Sequence, residues 1–471
     1  MKFKSLFSVI FFVLIGFFLS IIGYKKFFSI KLKPIKDILK QQVVKIKPDG
    51  TLYFVNKFLN NNGIYEKKII YNKSEFIHFY SPYVQVKKCF TGCIFDKKDS
   101  ITYNLYYDCI YGGKFKKLIT SCNQYQRIFR FPFTDYLTRK YNFLKELKKA
   151  KKLYPGDYDF FIESYILPED KEILKKNFKK SKYWIKKPYN LSRGRGVEVV
   201  DRINDFNKKT IVQKYIKPHL LFGKKYDIRI ILLITSYDPL VVYLYSDGVL
   251  RFATHPYSEK EEFYIEDKYM HLTNNCVNKD SLFYKKNDDP NKLAESLASL
   301  KSFKKYCIEN NINYDLIIEK VKDQILKCIL MRYDKCVEEL KEYKLKSSKN
   351  LFELIGVDII LDDNLEPHIL EFNLSPSLEW NCKCGEFVHN NVLIDTFNLL
   401  GLKCYDRASV RNDYVLSVQE RFQENIDELK RNRGGYELIF PLKDNIEKYN
   451  KFIKSCTLLN KLLWKYIEKN A

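Results

Sequence analysis

The sequence lacks the signatures of several common classes of protein. Its 12 cysteines include only two close pairs, Cys89 with Cys93 and Cys382 with Cys384, and no further pair or matching histidines complete a zinc-finger spacing. No Gly-Lys-Ser/Thr sequence of a Walker loop precedes a helix, no recognised nucleic-acid-binding module is present, and no internal repeat occurs. We therefore expect reduced structural thiols in a reducing compartment.

Acidic residues are scarce relative to basic ones. The chain has 57 Asp and Glu against 82 Lys and Arg, which gives a net charge of +25 at pH 7. Such a charge suits an acidic partner, whether nucleic acid, an anionic membrane or an acidic protein tail. Because no nucleic-acid-binding module is found, nucleic acid is not the expected partner. Lysine is frequent along the whole chain, so the net charge does not identify a partner by itself. It serves only as support for a partner that other features indicate.

A single hydrophobic run stands near the N-terminus. Residues 6–22 are apolar or uncharged, and the flank after them carries more lysines than the flank before them. This pattern favours a signal anchor that keeps the body of the protein in the cytosol. The alternative is a cleaved signal peptide, which conflicts with reduced thiols.

At 471 residues the chain exceeds the size of one hydrophobic core, so several lobes are expected. A long helical segment is predicted over about 292–343, which contain no Pro or Gly. The predicted segments are the hydrophobic segment 1–25, a small α/β lobe 26–135, a central lobe 136–185, a strand-rich lobe 186–402 and a basic, mostly helical tail 403–471.

A predicted hairpin carries the most informative polar residues. Residues 352–358 (Phe-Glu-Leu-Ile-Gly-Val-Asp) and the segment that contains Glu371 and Asn373 flank a polar turn. Antiparallel pairing returns Asp358 and Glu371 to one end of the sheet, and Asn373 faces the same side as Glu371. Three hard oxygen ligands suit Mg²⁺ beside nucleotide phosphates. The alternative is that the carboxylates are edge-strand charges facing water.

A glycine loop lies upstream between two predicted strands. Residues 184–188 (Trp-Ile-Lys-Lys-Pro) form a strand with Lys187 near its end, and residues 190–196 (Asn-Leu-Ser-Arg-Gly-Arg-Gly) form the loop. Backbone N–H groups and Arg193 can approach phosphates there, while Lys187 supplies a point charge. An ordinary basic hairpin turn explains the same pattern.

Further charged residues fall within apolar strands. Residues 210–216 read as a strand whose backbone can bind an adenine edge, and Lys225, Asp227 and Arg229 alternate on one face of the next strand. Buried charges are costly unless they meet a ligand or pair with each other, and we favour a ligand over a structural ion pair. Arg251 ends a similar strand. The polar cluster 271–279 is either part of a site or a capped turn.

In this order the segments resemble the tubulin-tyrosine ligase-like family of ATP-grasp amino-acid ligases. The shared motifs are Trp-Ile-x-Lys-Pro, Ser-Arg-Gly-x-Gly, Gln-x-Tyr-Ile, Lys-x-Asp-x-Arg, His-Leu-Thr-Asn and a closing Glu-x-Asn-x-Ser-Pro-Ser, within about 103–441. The resemblance implies an α+β ATP-grasp ligase fold with a small N-terminal α/β lobe, a catalytic lobe over 186–402 and a helical C-terminal extension.

The resemblance also implies roles for the matching residues. The implied ATP contacts are Lys187, Arg193, Gly194, Gln213, Lys214, Tyr215, Ile216, Lys225, Asp227, Thr273 and Asn274. The implied Mg²⁺ ligands are Asp358, Glu371 and Asn373, in agreement with the interpretation from their chemistry. The implied catalytic residues, which screen charge during phosphoryl transfer, are Lys187, Arg229 and Arg251.

Contacts with the amino-acid substrate are less clear from the resemblance. Arg251 matches the arginine that holds the carboxylate of the incoming amino acid, a role suited to a guanidinium fork. Asn275 and Cys276 stand where the family usually has Tyr-Ser, close to the expected amino-acid site. The specificity for the amino acid is therefore open.

The implied activity is ATP- and Mg²⁺-dependent addition of free glutamate to glutamate side chains in the acidic C-terminal tail of tubulin, through an acyl-phosphate. The alternatives are a glycine or tyrosine ligase of the same family and an inactive microtubule-binding protein. We expect a monomer in the cytoplasm on the microtubule cytoskeleton, with membrane anchoring by residues 6–22 as an added expectation. We expect the tail 403–471 to extend the microtubule contact rather than only pack on the ligase.

Overall fold

The computed structural model describes residues 42–46, 52–56, 78–89, 94–96, 103–109, 112–258, 265–376, 382–403, 405, 410–411 and 413–470. The hydrophobic run 6–22 lies outside these ranges, so its role stays a prediction. None of the helices within them combines the length and the hydrophobicity needed to span a bilayer.

The secondary structure mixes helices and strands throughout, which confirms the predicted α+β class. The strands are β1 Gln42–Ile46, β2 Leu52–Asn56, β3 His78–Tyr80, β4 Ile94–Phe95, β5 Leu105–Tyr106, β6 Arg127–Phe129, β7 Ser164–Leu167, β8 Trp184–Pro188, β9 Glu198–Val200, β10 Thr210–Lys214, β11 Leu220–Leu221, β12 Lys224–Tyr237, β13 Leu240–Phe252, β14 Leu297–Ser299, β15 Leu351–Leu361, β16 Pro367–Leu374 and β17 Tyr436–Phe440. The helices are α1 Val84–Cys89, α2 Gly113–Ser121, α3 Asp135–Thr138, α4 Lys140–Leu153, α5 Lys171–Asn177, α6 Lys268–His271, α7 Asn275–Asn278, α8 Leu300–Glu309, α9 Tyr314–Leu330, α10 Tyr333–Lys341, α11 Lys383–Leu400, α12 Val418–Leu429, α13 Lys443–Asn450 and α14 Leu458–Asn470.

One large sheet forms the centre of the described part of the chain. Its path runs β14, β13, β12, β15, β6, β5, β3 and β4, with β11 on β12, β16 on β15 and β17 on β13. Strands β12 and β15 are buried over almost their whole length. Because both faces of these strands are covered, they read as continuous apolar runs and not as an alternating pattern.

The N-terminal strands continue this central sheet. Strands β3, β5 and β6 pair in parallel, and β6 pairs in parallel with the start of β15, where Ile128 lies opposite Leu351. Strand β15 therefore joins the strands of the predicted N-terminal lobe to the strands of the catalytic lobe.

A second, antiparallel sheet has the order β7, β10, β8 and β9. It packs around its own small hydrophobic core, in which Trp184 stacks on Phe178 with ring centroids 5.5 Å apart. The indole N–H of Trp184 also donates to the carbonyl of Phe178 at 3.0 Å. The strands predicted over 184–188 and 210–216 are confirmed as β8 and β10.

The prediction of one long helical segment over 292–343 was wrong in its continuity. The segment contains β14 and the three helices α8, α9 and α10. The helical backbone is interrupted at Asn311, which has a φ of 57°. The side chain of Asn313 then caps α9 by accepting a hydrogen bond from the N–H of Leu316 at 3.0 Å. Asparagine tolerates this left-handed backbone, so a helix ends without Pro or Gly.

The tail 403–471 packs on the central sheet and is not only helical. Strand β17 pairs with β13, and the buried Glu428 of α12 lies 2.9 Å from Lys349 and accepts a hydrogen bond from Thr235 at 2.6 Å. Asn460 of α14 accepts from the N–H of Leu240 at 3.1 Å. The apolar face of the tail and a buried ion pair thus belong to the core, while the expected contact of the tail with the microtubule stays a prediction.

We expect Leu463→Ala to lower the free energy of unfolding by about 2–5 kcal/mol, since Leu463 in α14 is fully buried and its truncation leaves a cavity. Chemical denaturation measures this change. Lys461→Ala, at an exposed position on the same helix, serves as the control and should leave stability nearly unchanged. Equal stability of the two variants would show that α14 does not belong to the core.

Candidate functional site

The hairpin of β15 and β16 brings the predicted metal ligands together. Asp358 lies opposite Glu371, and an irregularity in the register beside this pair makes Leu370 an extra residue on β16. The side-chain nitrogen of Asn373 lies 3.1 Å from Asp358 Oδ2 and 3.2 Å from Glu371 Oε1. Asp358 is only 2% exposed, so the alternative of a water-facing edge charge is wrong for this residue.

Four buried charges form a network across three neighbouring strands. In the register of the sheet, Arg251 of β13 lies opposite Asp227 of β12, and Arg229 of β12 lies opposite Asp358 of β15. Arg229 donates through both Nε and Nη2 to the carboxylate of Asp358, the latter at 2.8 Å. Arg251 donates through Nε to Asp227 at 2.8 Å and lies 2.9 Å from Asp358. The internal ion pairing that was considered as the alternative is therefore present.

The charge state of this network follows from its pairing. Burial alone would raise the pKa of Asp358, but Arg229 and Arg251 hold it well below its usual range. Burial would lower the pKa of Arg251, but Asp227 and Asp358 raise it above its ordinary value. Asp358 and Arg251 thus keep their charges inside the sheet, where an unpaired charge would be very costly.

Gly356 permits the close packing of this network. A Cβ atom at this position would lie 3.0 Å from Cδ of Arg229 and 3.1 Å from Cβ of Pro376. Any larger residue would push the arginine away from Asp358. This contact gives a physical reason for a glycine two residues before Asp358 in the segment 352–358.

The glycine loop packs against the polar cluster after β13. Arg193, Gly194 and Gly196 have φ values of 61°, 75° and 66°. A Cβ atom at Gly194 would lie 2.9 Å from Oδ1 of Asn274 and 3.0 Å from Val277. The loop therefore lies directly on the segment 273–277, which sequence reasoning could read as a capped turn.

Two lysines, the partly buried Lys187 and the buried Lys225, face the space between the two sheets. Nζ of Lys187 donates to Gln213 at 2.7 Å, and Nζ of Lys225 lies 3.3 Å from the hydroxyl of Tyr215 and 4.6 Å from its ring centroid. Burial lowers the pKa of Lys187 to about 8, an effect that Glu371 partly offsets. Burial, with a further contribution from Lys187, lowers the pKa of Lys225 to about 7.

Most of the predicted ATP contacts line one cleft with about 810 Å³ of empty space. The predicted residues that line the cleft are Lys187, Arg193, Gly194, Gln213, Lys214, Ile216, Lys225, Asp227, Thr273, Asn274, Asp358 and Glu371.

The other predicted residues lie around this cleft. The hydroxyl of Tyr215 lies 3.3 Å from Nζ of Lys225 and shares a hydrogen bond of 2.9 Å with the ring of His271. Thr273 donates to Asp227 at 2.8 Å. Arg229, Arg251 and Asn373 contact the carboxylates that line the cleft. Asn275 and Cys276 follow Asn274 into α7 and do not line the cleft, and Cys276 is exposed.

Sequence reasoning missed Lys140 as a site residue. This first residue of α4 lines the cleft, lies 3.1 Å from Glu371 Oε2 and donates to the carbonyl of Leu191 at 3.3 Å. Its partners are 231 and 51 residues away, so no local pattern could reveal the contacts. The single available signal was that residues 137–140 fall within the range of about 103–441 that the resemblance covers.

The donor set at the hairpin fits Mg²⁺. Within the described ranges, no group of three or more His, Cys, Asp and Glu side chains could hold a metal. The hairpin instead offers two carboxylates and one amide in mutual contact, Asp358, Glu371 and Asn373. Such an incomplete set of hard oxygen donors suits an ion that keeps waters and nucleotide oxygens as ligands.

Comparison with known proteins identifies relatives of this chain. A sequence model of the tubulin-tyrosine ligase family matches residues 119–409. The chain is 36% identical to a tubulin monoglutamylase of Mus musculus over 287 residues, which are 60% of this chain and 24% of the relative. It is 30% identical to a probable beta-tubulin polyglutamylase of Tetrahymena thermophila over 367 residues, 70% of this chain and 31% of the relative. It is also 30% identical to a tubulin polyglutamylase of Danio rerio over 374 residues, 72% and 47% respectively.

These matches confirm the resemblance that the motifs indicated. The chain spans between about a quarter and a half of the length of these curated relatives. The matched region contains the cleft and every predicted site residue.

We expect Arg229→Met to lower the free energy of unfolding by about 3 kcal/mol at pH 7, because it leaves Asp358 buried with one guanidinium partner fewer. The double variant Arg229→Met/Asp358→Asn should recover part of this loss, since it also removes the buried carboxylate charge. Urea denaturation of the three proteins measures both effects. A double variant that is less stable than the single one would contradict the description of this network as a charge pair.

Proposed function

The chain belongs to the tubulin-tyrosine ligase family, and on this premise we propose that it is an ATP-dependent ligase that adds glutamate to glutamate side chains in the acidic C-terminal tail of tubulin. The observation that carries the proposal is the cleft itself. It combines a glycine loop, the lysines Lys187 and Lys225, and a hairpin with two carboxylates and an amide. These are the groups that an ATP-grasp site requires.

In the proposed complex, ATP lies between the two sheets. The ammonium groups of Lys187 and Lys225, with Arg193 and the backbone N–H groups of the glycine loop, bind the phosphates. The adenine lies along the residues Gln213, Lys214, Tyr215 and Ile216, with Thr273 and Asn274 on the opposite side. Asp227 already accepts a hydrogen bond from Thr273, so this wall is ordered before the nucleotide binds.

Asp358, Glu371 and Asn373 would hold Mg²⁺, which supplies charge neutralisation on the phosphates when it is bound. In its absence, Lys140 and the two arginines neutralise the same carboxylates. These contacts hold the carboxylates of Asp358 and Glu371 in place before the ligands bind.

The reaction needs positioned charges and no nucleophilic side chain. A carboxylate oxygen of the acceptor glutamate attacks the γ-phosphorus of ATP, the bond to the β-phosphate oxygen breaks, and ADP leaves. The amino group of free glutamate then attacks the acyl carbon, a proton is lost from nitrogen, and inorganic phosphate leaves as the isopeptide bond forms. Lys187, Arg229 and Arg251 screen the charge that accumulates, and positioning supplies much of the remaining rate.

The amino-acid contacts follow from the resemblance and remain proposals. Arg251 is 5% exposed and bound to Asp227 and Asp358, so it meets an incoming carboxylate only by exchanging one of these contacts. Asn275 and Cys276 lie just beyond the cleft wall at Asn274. The relatives at 30–36% identity are named as glutamylases, which supports glutamate over glycine or tyrosine.

The proposed macromolecular partner is tubulin or the microtubule. The names of the relatives describe enzymes that modify tubulin. The net charge of +25 on this chain also suits an acidic tail as partner. We propose that the protein works as a monomer on the microtubule cytoskeleton in the cytoplasm. Membrane anchoring by residues 6–22 remains a separate proposal, which concerns residues outside the described ranges.

We expect the affinity for ATP to fall as the pH rises. The phosphates need the ammonium forms of Lys187 and Lys225, whose pKa values are lowered to about 8 and about 7. Affinity should therefore be nearly constant below pH 7 and lower by at least about tenfold at pH 9. Competition with a fluorescent ATP analogue at saturating Mg²⁺ measures it. Lys187→Met should bind more weakly with a shallower pH dependence, and a flat profile in the unmodified protein would contradict these assignments.

We expect microtubules incubated with the full chain, Mg²⁺-ATP and an equimolar mixture of glutamate, glycine and tyrosine to gain mass in steps of one glutamyl residue. Intact-mass analysis of tubulin measures the steps. Glu371→Gln, which keeps the shape of a proposed Mg²⁺ ligand but removes its charge, should abolish them.

Other outcomes reassign the function. Steps of a glycyl or tyrosyl residue would change the amino acid but keep the ligase. Microtubule binding without any mass change would replace the proposal by a binding protein or by a ligase for another acidic protein.

A further inference from the structure

A buried histidine lines the nucleotide cleft, and the proposed reaction gives it no role. His271 ends α6 and lies at the wall of the cleft. In this segment the resemblance implies ATP contacts for Thr273 and Asn274 but none for His271. The hydrogen bond of its ring leads to another cleft residue, Lys225, through the hydroxyl of Tyr215.

These three side chains form a hydrogen-bonded series. Nζ of Lys225 lies 3.3 Å from the hydroxyl oxygen of Tyr215, and this oxygen lies 2.9 Å from Nδ1 of His271. The three residues are 6%, 8% and 4% exposed, respectively. They come from three separate segments, the start of β12, the residue after β10 and the end of α6. Tyr215 thus joins two lining residues without lining the cleft itself.

The chemistry of the three groups gives the series a direction. A lysine ammonium group has donors only, so the oxygen of Tyr215 accepts from Lys225. A tyrosine hydroxyl has one proton of its own, and Nδ1 of His271 accepts this proton when the neutral ring carries its hydrogen on Nε2. This arrangement gives the hydroxyl proton an acceptor and leaves an oxygen lone pair for the ammonium group.

The ammonium group of Lys225 benefits from this acceptor because it is buried. Burial, with a further contribution from Lys187, lowers the pKa of Lys225 to about 7, an effect that Asp227 partly offsets. The oxygen of Tyr215 and the face of its ring, whose centroid lies 4.6 Å from Nζ, both favour the charged form. A hydroxyl proton held by His271 points away from the ammonium group and keeps the lone pair available.

The capped helix α6 sets the position of His271. The carboxylate of Asp267 accepts from the N–H of Tyr269 at 2.9 Å and of Met270 at 3.2 Å. The backbone N–H of His271 donates to the carbonyl of Asp267 at 3.3 Å. The rings of His271 and Tyr215 meet edge to face, with centroids 5.5 Å apart and planes at 87°. A helix cap and a ring contact thus hold the imidazole against Tyr215.

We propose that His271 is a positioning residue for nucleotide binding, which acts through the hydroxyl of Tyr215 to hold the ammonium group of Lys225 charged and in place at the cleft wall. This inference rests on the proposed ATP site, in which Lys225 binds the phosphates. The competing role is a direct contact between the imidazole and the nucleotide. The two roles differ in whether the hydroxyl of Tyr215 is required.

Equilibrium binding of a fluorescent ATP analogue to the full chain, at saturating Mg²⁺ and neutral pH, tests the proposal without measuring ligation. His271→Leu removes the acceptor and should weaken binding by about fivefold, the effect of one hydrogen bond. His271→Asn returns an acceptor near the position of Nδ1 and should recover most of this loss. A merely structural role of the imidazole ring would give no such recovery.

A second histidine–tyrosine pair provides the matched control. Nδ1 of His219 lies 2.8 Å from the hydroxyl of Tyr226, and neither residue is among those that line the cleft. Tyr226 follows Lys225 on β12, with its side chain on the opposite face of the strand. His219→Leu therefore removes the same kind of hydrogen bond close by and should leave the affinity for the analogue unchanged.

The hydroxyl of Tyr215 is tested separately. Tyr215→Phe removes only this oxygen and should weaken binding by about fivefold, and adding His271→Leu to it should weaken binding by less than about twofold more. If His271→Leu does not fold, His271→Gln takes its place in both comparisons, because its amide matches the position of Nε2 and not that of Nδ1.

The proposal is overturned if the histidine variant binds the analogue as tightly as the unmodified protein, if His271→Asn recovers nothing, if the effects at His271 and Tyr215 add, or if His219→Leu weakens binding equally. Lys225→Met separates such a failure from failure of the proposed function. Weaker binding by Lys225→Met would leave the ATP site standing and overturn only the role of His271. Binding as tight as that of the unmodified protein would remove Lys225 from the phosphate contacts and overturn both.

Discussion

The buried pairing of two arginines with two carboxylates across β13, β12 and β15 is the constraint on which the site depends. These strands are otherwise almost wholly apolar, so their side chains alone would tolerate several registers. A shift of one residue would turn Asp227, Arg229 and Asp358 to the wrong face and bury them without partners. The charge network thus fixes the register of the central sheet. That register in turn places Glu371 and Asn373, on the neighbouring strand β16, beside the carboxylate of Asp358.

The parts of the site that sequence reasoning could predict are those formed by short stretches of chain. Asp358 and Glu371 meet because one turn separates their strands, and the glycine loop lies between two consecutive strands. The contacts that it missed join distant segments. Lys140 reaches Glu371, and Glu428 reaches Lys349, only after helices have packed on the sheet. Helix breaks at asparagine were also missed, because Asn311 carries a weaker signal than Gly or Pro would.

The charges of the cleft are balanced differently on its two sides. The hairpin side is nearly neutral, since its carboxylates are paired with arginines and with Lys140. The opposite side carries Lys187, and Lys225 lies on β12 of the same sheet as the hairpin; burial works against the positive charge of both lysines. An anionic ligand removes this conflict because it supplies the missing negative charge. The positive charges of these two lysines therefore favour an anionic ligand.

The division of the cleft between two sheets has a mechanical consequence. Lys187 and Gln213 belong to the antiparallel sheet of β7 to β10, whereas Asp227, Asp358 and Glu371 belong to the central sheet. No ladder hydrogen bond joins these two sheets within the described residues. They are linked by side-chain packing and by an isolated β-bridge between Pro218 and Asp362. A backbone hydrogen bond from the N–H of His219 to the carbonyl of Leu361 adds to this link. A rotation of the smaller sheet relative to the central sheet would therefore break no ladder hydrogen bond within either sheet.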